Sequence, residues 1–263
     1  MLAEQRQSHI LELIRRDGAV RVADLVQSLG VSDMTIRRDL GVLADAGLVQ
    51  KVHGGATLAA DSSAFEPSFT AKSTLQRAEK REIARAAAKL VEPGGAIGMS
   101  AGTTTYAIAA ELLDVPGITV VTNSVHIADL MYQHGRSDQT ILLTGGVRTP
   151  SDAYVGPFAV TALNSVHVDL VFLGVHGMTT ETGFTTPNLL EAETNRALVD
   201  TGRRLVVVAD HTKWGVVGIS SMARLDEADV LITDIGLPDE ATAALRESVR
   251  ELVITSTRDR TTE

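Results

Sequence analysis

From about residue 79 onward the chain alternates helix-length amphipathic stretches with short, unbroken apolar runs, and no other sequence feature constrains the fold as strongly. The runs lie at 97–99, 119–121, 140–143, 168–173, 205–209, 230–233 and 252–255. Strands that are apolar on both sides must be covered on both faces, which is the condition of a parallel sheet flanked by helices. Helices are expected over 79–91, 106–113, 125–133, 189–200 and 239–248. The expected body is therefore an α/β domain built on a mainly parallel sheet. Ligands of such sheets gather at the carboxyl ends of the strands.

Those ends are the most polar and glycine-rich points of the body. Ser100-Ala101-Gly102-Thr103-Thr104-Thr105 follows the first run and leads straight into a helix. Free N–H groups at a helix start, a glycine that allows close approach and several hydroxyls suit a phosphate. The next four ends carry Thr122-Asn123-Ser124, Thr144-Gly145-Gly146, Gly174-Val175-His176-Gly177 and Asp210-His211-Thr212-Lys213. Taken singly, such threonines also cap helices, paired glycines make turns, and a lysine is usually solvated surface. Their convergence on one sheet edge suits a sugar phosphate.

Several chemistries find no support. The chain has no cysteine, which excludes disulfides, thiolate metal sites and a cysteine nucleophile and fits a reducing cytosol. No G-x-G-x-x-G follows a strand, and G-x-x-x-x-G-K-[ST] and H-E-x-x-H are absent. No cofactor, metal or catalytic residue is therefore expected. The first residues, MLAEQRQSHILELIRRDG, mix charge with apolar residues and lack the apolar stretch of a signal peptide. No run approaches the roughly 18 apolar residues of a membrane span. A cytoplasmic protein without a membrane partner is expected.

The formal charge of −9 argues against nucleic acid until its distribution is read. Residues 1–58 hold seven basic and seven acidic side chains, so the acidic excess lies wholly beyond them. A neutral segment binds DNA if its basic groups share a face. A first helix ends at Asp17-Gly18, and Val22, Leu25, Val26 and Leu29 stripe a second at helical spacing. Gly30 turns the chain, and Ser32 caps a third helix from Asp33 to about Ala46. There Ile36, Leu40 and Leu43 form the buried stripe. Met34, Arg38 and Gly41 point the opposite way, with Thr35 and Arg37 on the flanks. This is a helix-turn-helix pattern. A strand over 48–52, a turn at His53-Gly54-Gly55 and a return strand over 56–58 make a wing, to which 19–21 can add a third strand. The candidate DNA-binding residues are Ser32, Met34, Thr35, Arg37, Arg38, Lys51 and His53. Arg38 should face the major groove with Met34 and Thr35 near base edges, and Arg37 and Lys51 should mostly meet phosphate.

At this point the chain resembles a known family. VSDMTIRRDLGVLADAGLVQKVHGGA, within a match running from Arg6 through Ala56, resembles the DNA-binding signature of the DeoR/GlpR family of bacterial transcriptional regulators. Over about residues 78–235, SAGTTT, VTNS, TGG, D-x-x-F-x-G-x-x-G at 169–177 and ADHTKWG match the family's sensor domain in order. That domain is similar in fold to ribose-phosphate isomerases, glucosamine-phosphate deaminases and coenzyme A transferases. The resemblance implies that Thr103, Thr104 and Thr105 hold a phosphate, that Asn123 and Gly174 line a sugar site, and that Lys213 adds positive charge. Ser100, Gly102, Gly145 and Glu191 complete the candidate effector-binding set. The family often has lysine where this chain has Asn195, which implies a different effector.

The expected organisation is a winged helix-turn-helix over 1–58, a linker over 59–77 that is small, polar and proline-containing, and a sugar-phosphate-sensing domain over 78–263. The expected function is a repressor of a carbohydrate operon, a homo-oligomer (dimer or tetramer) that binds double-stranded operator DNA under control of a phosphorylated sugar. The alternative is a sugar-phosphate isomerase or deaminase with an accessory N-terminal module, for which Glu191, Asp169 and Asp210 are available carboxylates.

Overall fold

A computed structural model describes residues 2–58 and 68–256, and the chain separates into two units, Met1–Arg77 and Ala78–Glu263. In the first, α1 (Ala3–Asp17), β1 (Ala19–Arg21), α2 (Val22–Leu29), α3 (Asp33–Asp45), β2 (Val49–Val52) and β3 (Gly55–Leu58) follow in order. Both α1 and α2 stop on a glycine in the left-handed region, Gly18 (φ 76°) and Gly30 (φ 65°), where a side chain would be strained. Ser32 caps α3 by accepting a hydrogen bond from the Thr35 N–H at 3.2 Å. The three strands form an antiparallel sheet in the order β1-β3-β2. Ile10, Ile14, Leu25, Ile36, Leu40, Leu43 and Val49 close the core between them.

The stretch expected as linker is partly folded. Residues 59–67 of it lie outside the described residues, but α4 (Phe69–Ser73) follows, and Leu75 packs against the N-terminal core. Gln76 donates to Glu12 at 3.0 Å, and the Arg77 guanidinium reaches Glu4 at 2.9 Å. One apolar side chain and two long-range polar contacts thus extend the first unit to Arg77, which the polar composition of the stretch conceals.

The second unit is built on α5 (Arg77–Ala88), β4 (Ala96–Met99), α6 (Thr103–Glu111), β5 (Thr119–Thr122), α7 (Val125–His134) and β6 (Thr140–Leu143). A short ladder of β7 (Val147–Arg148) and β8 (Tyr154–Val155), then α8 (Pro157–Leu163), leads to β9 (Val168–Gly174). After it come β10 (Gly177–Thr179), β11 (Gly183–Thr186), α9 (Leu189–Thr201), β12 (Gly202–Val208) and β13 (Ser220–Ala223). The described residues end with β14 (Val230–Asp234), α10 (Asp239–Ser248) and β15 (Leu252–Thr255).

Seven strands form one wholly parallel sheet in the order β15-β14-β12-β9-β4-β5-β6. Neighbouring residues of β9 serve opposite faces, as an unbroken apolar strand requires. Phe172 joins Ile83 of α5, Ile108 of α6 and Ile127 of α7, while Val171 and Leu173 join Leu163 of α8, Leu198 of α9 and Leu245 of α10. A second, antiparallel sheet, β10-β11-β13, buries Met178, Phe184 and Met222 in the latter core. The sequence does not announce this sheet, because its strands carry glycine, threonine and serine in place of an unbroken apolar run. No helix among the described residues is long and apolar enough to cross a membrane.

From β4 the chain steps outward to β5 and β6, whereas from β9 it steps to β12 on the other side. The adjacent carboxyl ends of β4 and β9 are therefore a topological switch point, where departing connections leave a crevice.

Candidate functional site

On the first unit, α3 presents the expected face. Ile36, Leu40 and Leu43 are buried, Met34 is 76% exposed, and Arg37 and Arg38 stand in solvent. Ser32 and Thr35 are engaged with each other, their hydroxyls 2.9 Å apart, so their first role is to start the helix. Arg37 is bound to Asp33 one turn back, whose hydrogen bond and charge raise the arginine's pKa. Lys51 is exposed on β2, and His53 is exposed at the wing turn beside Gly54 (φ 78°).

Two residues behave differently from their appearance in the sequence. Arg6 counts there as one of the basic groups, yet it is buried, its Nε donating to Asp39 Oδ2 at 2.6 Å. Gln7 Nε2 donates to Asp39 Oδ1 at 2.9 Å, so this carboxylate clips α3 to α1. The signal for Asp39 is its place beside Leu40 and three after Ile36, on the inward side of α3.

On the second unit, the β4–β9 switch point and the start of α6 gather seven of the expected residues. Ser100 is fully buried, its backbone N–H donating to Phe172 O at 3.0 Å and its Oγ accepting from Gly174 N–H at 2.9 Å. A Cβ on Gly174 would stand 3.6 Å from Thr105 Cγ2 and 3.7 Å from Ser100 Oγ, so the three meet. Asn123 accepts from Ala101 N–H at 2.8 Å and donates to Tyr154 O at 3.1 Å, tying β5 to β4 and to β8. Helix α6 begins at Thr103, earlier than the sequence spacing suggests, with Gly102 at its cap and no side chain closing that cap. Thr105 turns its hydroxyl back to Gly102 O at 3.0 Å, Thr104 is buried, and Thr103 is half-buried.

The remaining candidates are held by other groups. Gly145 (φ 70°) forms the turn after β6. Glu191, in the first turn of α9, accepts from Thr186 Oγ1 at 2.6 Å. Asn195 is 2% exposed; it donates to Met222 Sδ at 3.1 Å, and its Oδ1 has no hydrogen-bond partner among the described residues.

Lys213 lies beside Asp210 at the end of β12. Burial pushes the Asp210 carboxyl up, but the ammonium charges of Lys213 and Lys80, the Thr212 hydroxyl and His211 outweigh it and bring it down to about 2. Nearby, His211 Nδ1 is 2.7 Å from Asp234 Oδ2. No motif points to Lys80, which is 6% exposed on α5. Its signal is positional: with Ile83, Ala84 and Ala87 it completes an i, i+3, i+4, i+7 buried stripe.

Comparison with known proteins covers both units. Residues 6–62 match the model of the DeoR-like helix-turn-helix domain, and residues 75–235 match that of the DeoR C terminal sensor domain. The uncharacterized HTH-type transcriptional regulator YgbI of Escherichia coli (strain K12) is 39% identical over 246 residues, 93% of this chain and 95% of its own length. The HTH-type transcriptional regulator GolR of Listeria innocua serovar 6a is 34% identical, over 89% of this chain and 91% of its own. The glycerol-3-phosphate regulon repressor of Escherichia coli (strain K12) is 32% identical, over 90% of this chain and 93% of its own.

Proposed function

The chain belongs to the DeoR family of transcriptional regulators, and on that premise we propose that it represses a carbohydrate-metabolism operon under the control of a phosphorylated sugar. In this reading α3 enters the major groove of double-stranded operator DNA with Arg38, Met34 and Thr35 foremost. Operator symmetry usually mirrors protein symmetry, so the acting species is a homo-oligomer, a dimer or tetramer in the cytoplasm.

The observation that carries the effector half is the cluster at the β4–β9 switch point. Ser100 holds Gly174 and Asn123 holds Ala101 there, beside the start of α6, whose cap makes no side-chain hydrogen bond. Backbone N–H groups at a helix start attract an anion, and Lys213 adds positive charge. Glu191 suits a sugar hydroxyl. The name of one relative, the glycerol-3-phosphate regulon repressor, supports a small phosphorylated compound as the class.

An isomerase or deaminase reading is less well supported. Its base must stand free beside the reacting carbons. Glu191 is engaged by Thr186, Asp210 is surrounded by cations, and Asp169 accepts from Ala96 N–H at the opposite edge of the sheet. The relatives above carry the names of regulators.

A thermal-shift panel of sugar phosphates with their unphosphorylated parents tests the proposal. A phosphorylated sugar should raise Tm while its parent does not, and Thr104→Ala combined with Lys213→Ala should abolish the rise. An equal rise from the free sugar would overturn the phosphate site. Coupling to DNA is reciprocal: an inducer that weakens operator binding by about 5–150-fold must itself bind operator-loaded protein more weakly by the same factor. Calorimetric titration into free and DNA-bound protein measures both, and equal affinities would overturn the sensing role.

A further inference from the structure

Lys51 belongs to the wing, paired with Ala56 across the β2–β3 ladder, a position from which a lysine is expected to meet phosphate. Its side chain goes elsewhere. A Cβ built on Gly41 would lie 3.2 Å from Lys51 Nζ and 3.9 Å from its Cε, so the ammonium rests over the bare backbone of α3. At 100° per residue, Gly41 shares the outward stripe of α3 with Met34 and Arg38, opposite Ile36, Leu40 and Leu43.

Gly41 is otherwise unexplained. It lies inside a helix, where glycine is a poorer choice than alanine. It is not among the glycines with positive φ, so the backbone does not require it. What its missing side chain leaves is room, and Lys51 occupies that room.

We propose that Gly41 is a seat for Lys51 and that Lys51, delivered from the wing strand, reads a base edge in the major groove as a second cation beside Arg38. An ammonium in that groove finds its acceptors on guanine O6 and N7. Arg37, tied to Asp33 on the flank of the same helix, is less suited to that role. The inference rests on α3 being the helix that enters the groove.

The test uses the full-length chain and two probes: a duplex enriched by that chain from a random-sequence library, and a shuffled duplex of the same composition. Lys51→Ala should weaken binding to the enriched duplex about tenfold more than to the shuffled one and relax the preference at one base pair. Gly41→Ala should keep or raise Tm, because alanine is the better helix former, yet lose discrimination in the same direction. That pairing of signs separates a reading role from a structural one. Equal losses on both duplexes for Lys51→Ala, with the salt slope falling by about one, would make Lys51 a phosphate contact and overturn the proposal. Unchanged discrimination in Gly41→Ala would overturn the seat. Unchanged discrimination in Arg38→Ala would instead remove α3 from the groove, which is failure of the underlying reading.

Discussion

The two units of this protein carry their polar groups in opposite ways. On the first, Arg38 and Lys51 stand in solvent around an apolar core, apart from the buried Arg6–Asp39–Gln7 clip. In the second, Ser100, Thr105, Asn123 and Asp210 are buried, each already hydrogen-bonded to its neighbours. The proposed partners account for the difference by their size. DNA is too large to enclose, so its reader must project side chains outward. A small phosphorylated molecule is held best where water is excluded, and buried polar groups are costly unless they are paired with one another first. Binding and stability should therefore separate on the first unit and stay coupled in the second.

The largest effect is expected where the first unit departs from this rule. Asp39→Ala leaves the Arg6 guanidinium buried without its carboxylate and should cost about 3–5 kcal/mol of stability in chemical denaturation. Loss of under about 1 kcal/mol would show that Arg6 escapes to solvent and that the clip is dispensable.

On the proposed reading face, Arg38→Ala should weaken specific DNA binding by about 1–3 kcal/mol in titration at fixed salt while Tm stays unchanged. A fall in Tm of similar size would erase the contrast between the units.

Acid provides the corresponding test of the second unit. Asp210 is held at about 2, below its ordinary 3.8. Its folded pKa is depressed, so its contribution, about 2 kcal/mol, is fully present above the ordinary value and is lost as pH falls towards and through 2. Acid unfolding of the native chain should show that loss, and Asp210→Asn should flatten it; identical acid profiles would mean that the surrounding cations do not stabilise the fold through this carboxylate. The smallest effect belongs to Arg37→Ala. Its pair with Asp33 is exposed, and melting curves should superimpose on those of the native chain.

Much of both units was legible in the residue pattern, and the misses have a common cause. The α2 stripe, the Ser32 cap and the glycines ending α1 and α2 all act within one or two helical turns, and each appears where its spacing predicts. The switch-point residues Ser100, Asn123 and Gly174 were likewise visible as polar punctuation after apolar strands. By contrast, Arg6 looked like a surface cation, Lys80 carried no motif, and the folded half of the linker looked like spacer. Each of these is decided by a partner far along the chain.

What the sequence determined by itself was the set of elements: three helices and a wing, then strands that must be covered on both faces. Helix periodicity, capping and turn formation are short-range, so they leave a local trace. Only the tertiary structure decided the strand order β15-β14-β12-β9-β4-β5-β6, and with it the junction of β4 and β9 that joins Ser100 to Gly174, 74 residues on. It also decided that Asp39 meets Arg6, that the charge of Lys80 acts on Asp210, and that Lys51 lies over Gly41. Such meetings depend on which surfaces pack, a choice made by the summed burial of many residues, and no local pattern at either partner records it.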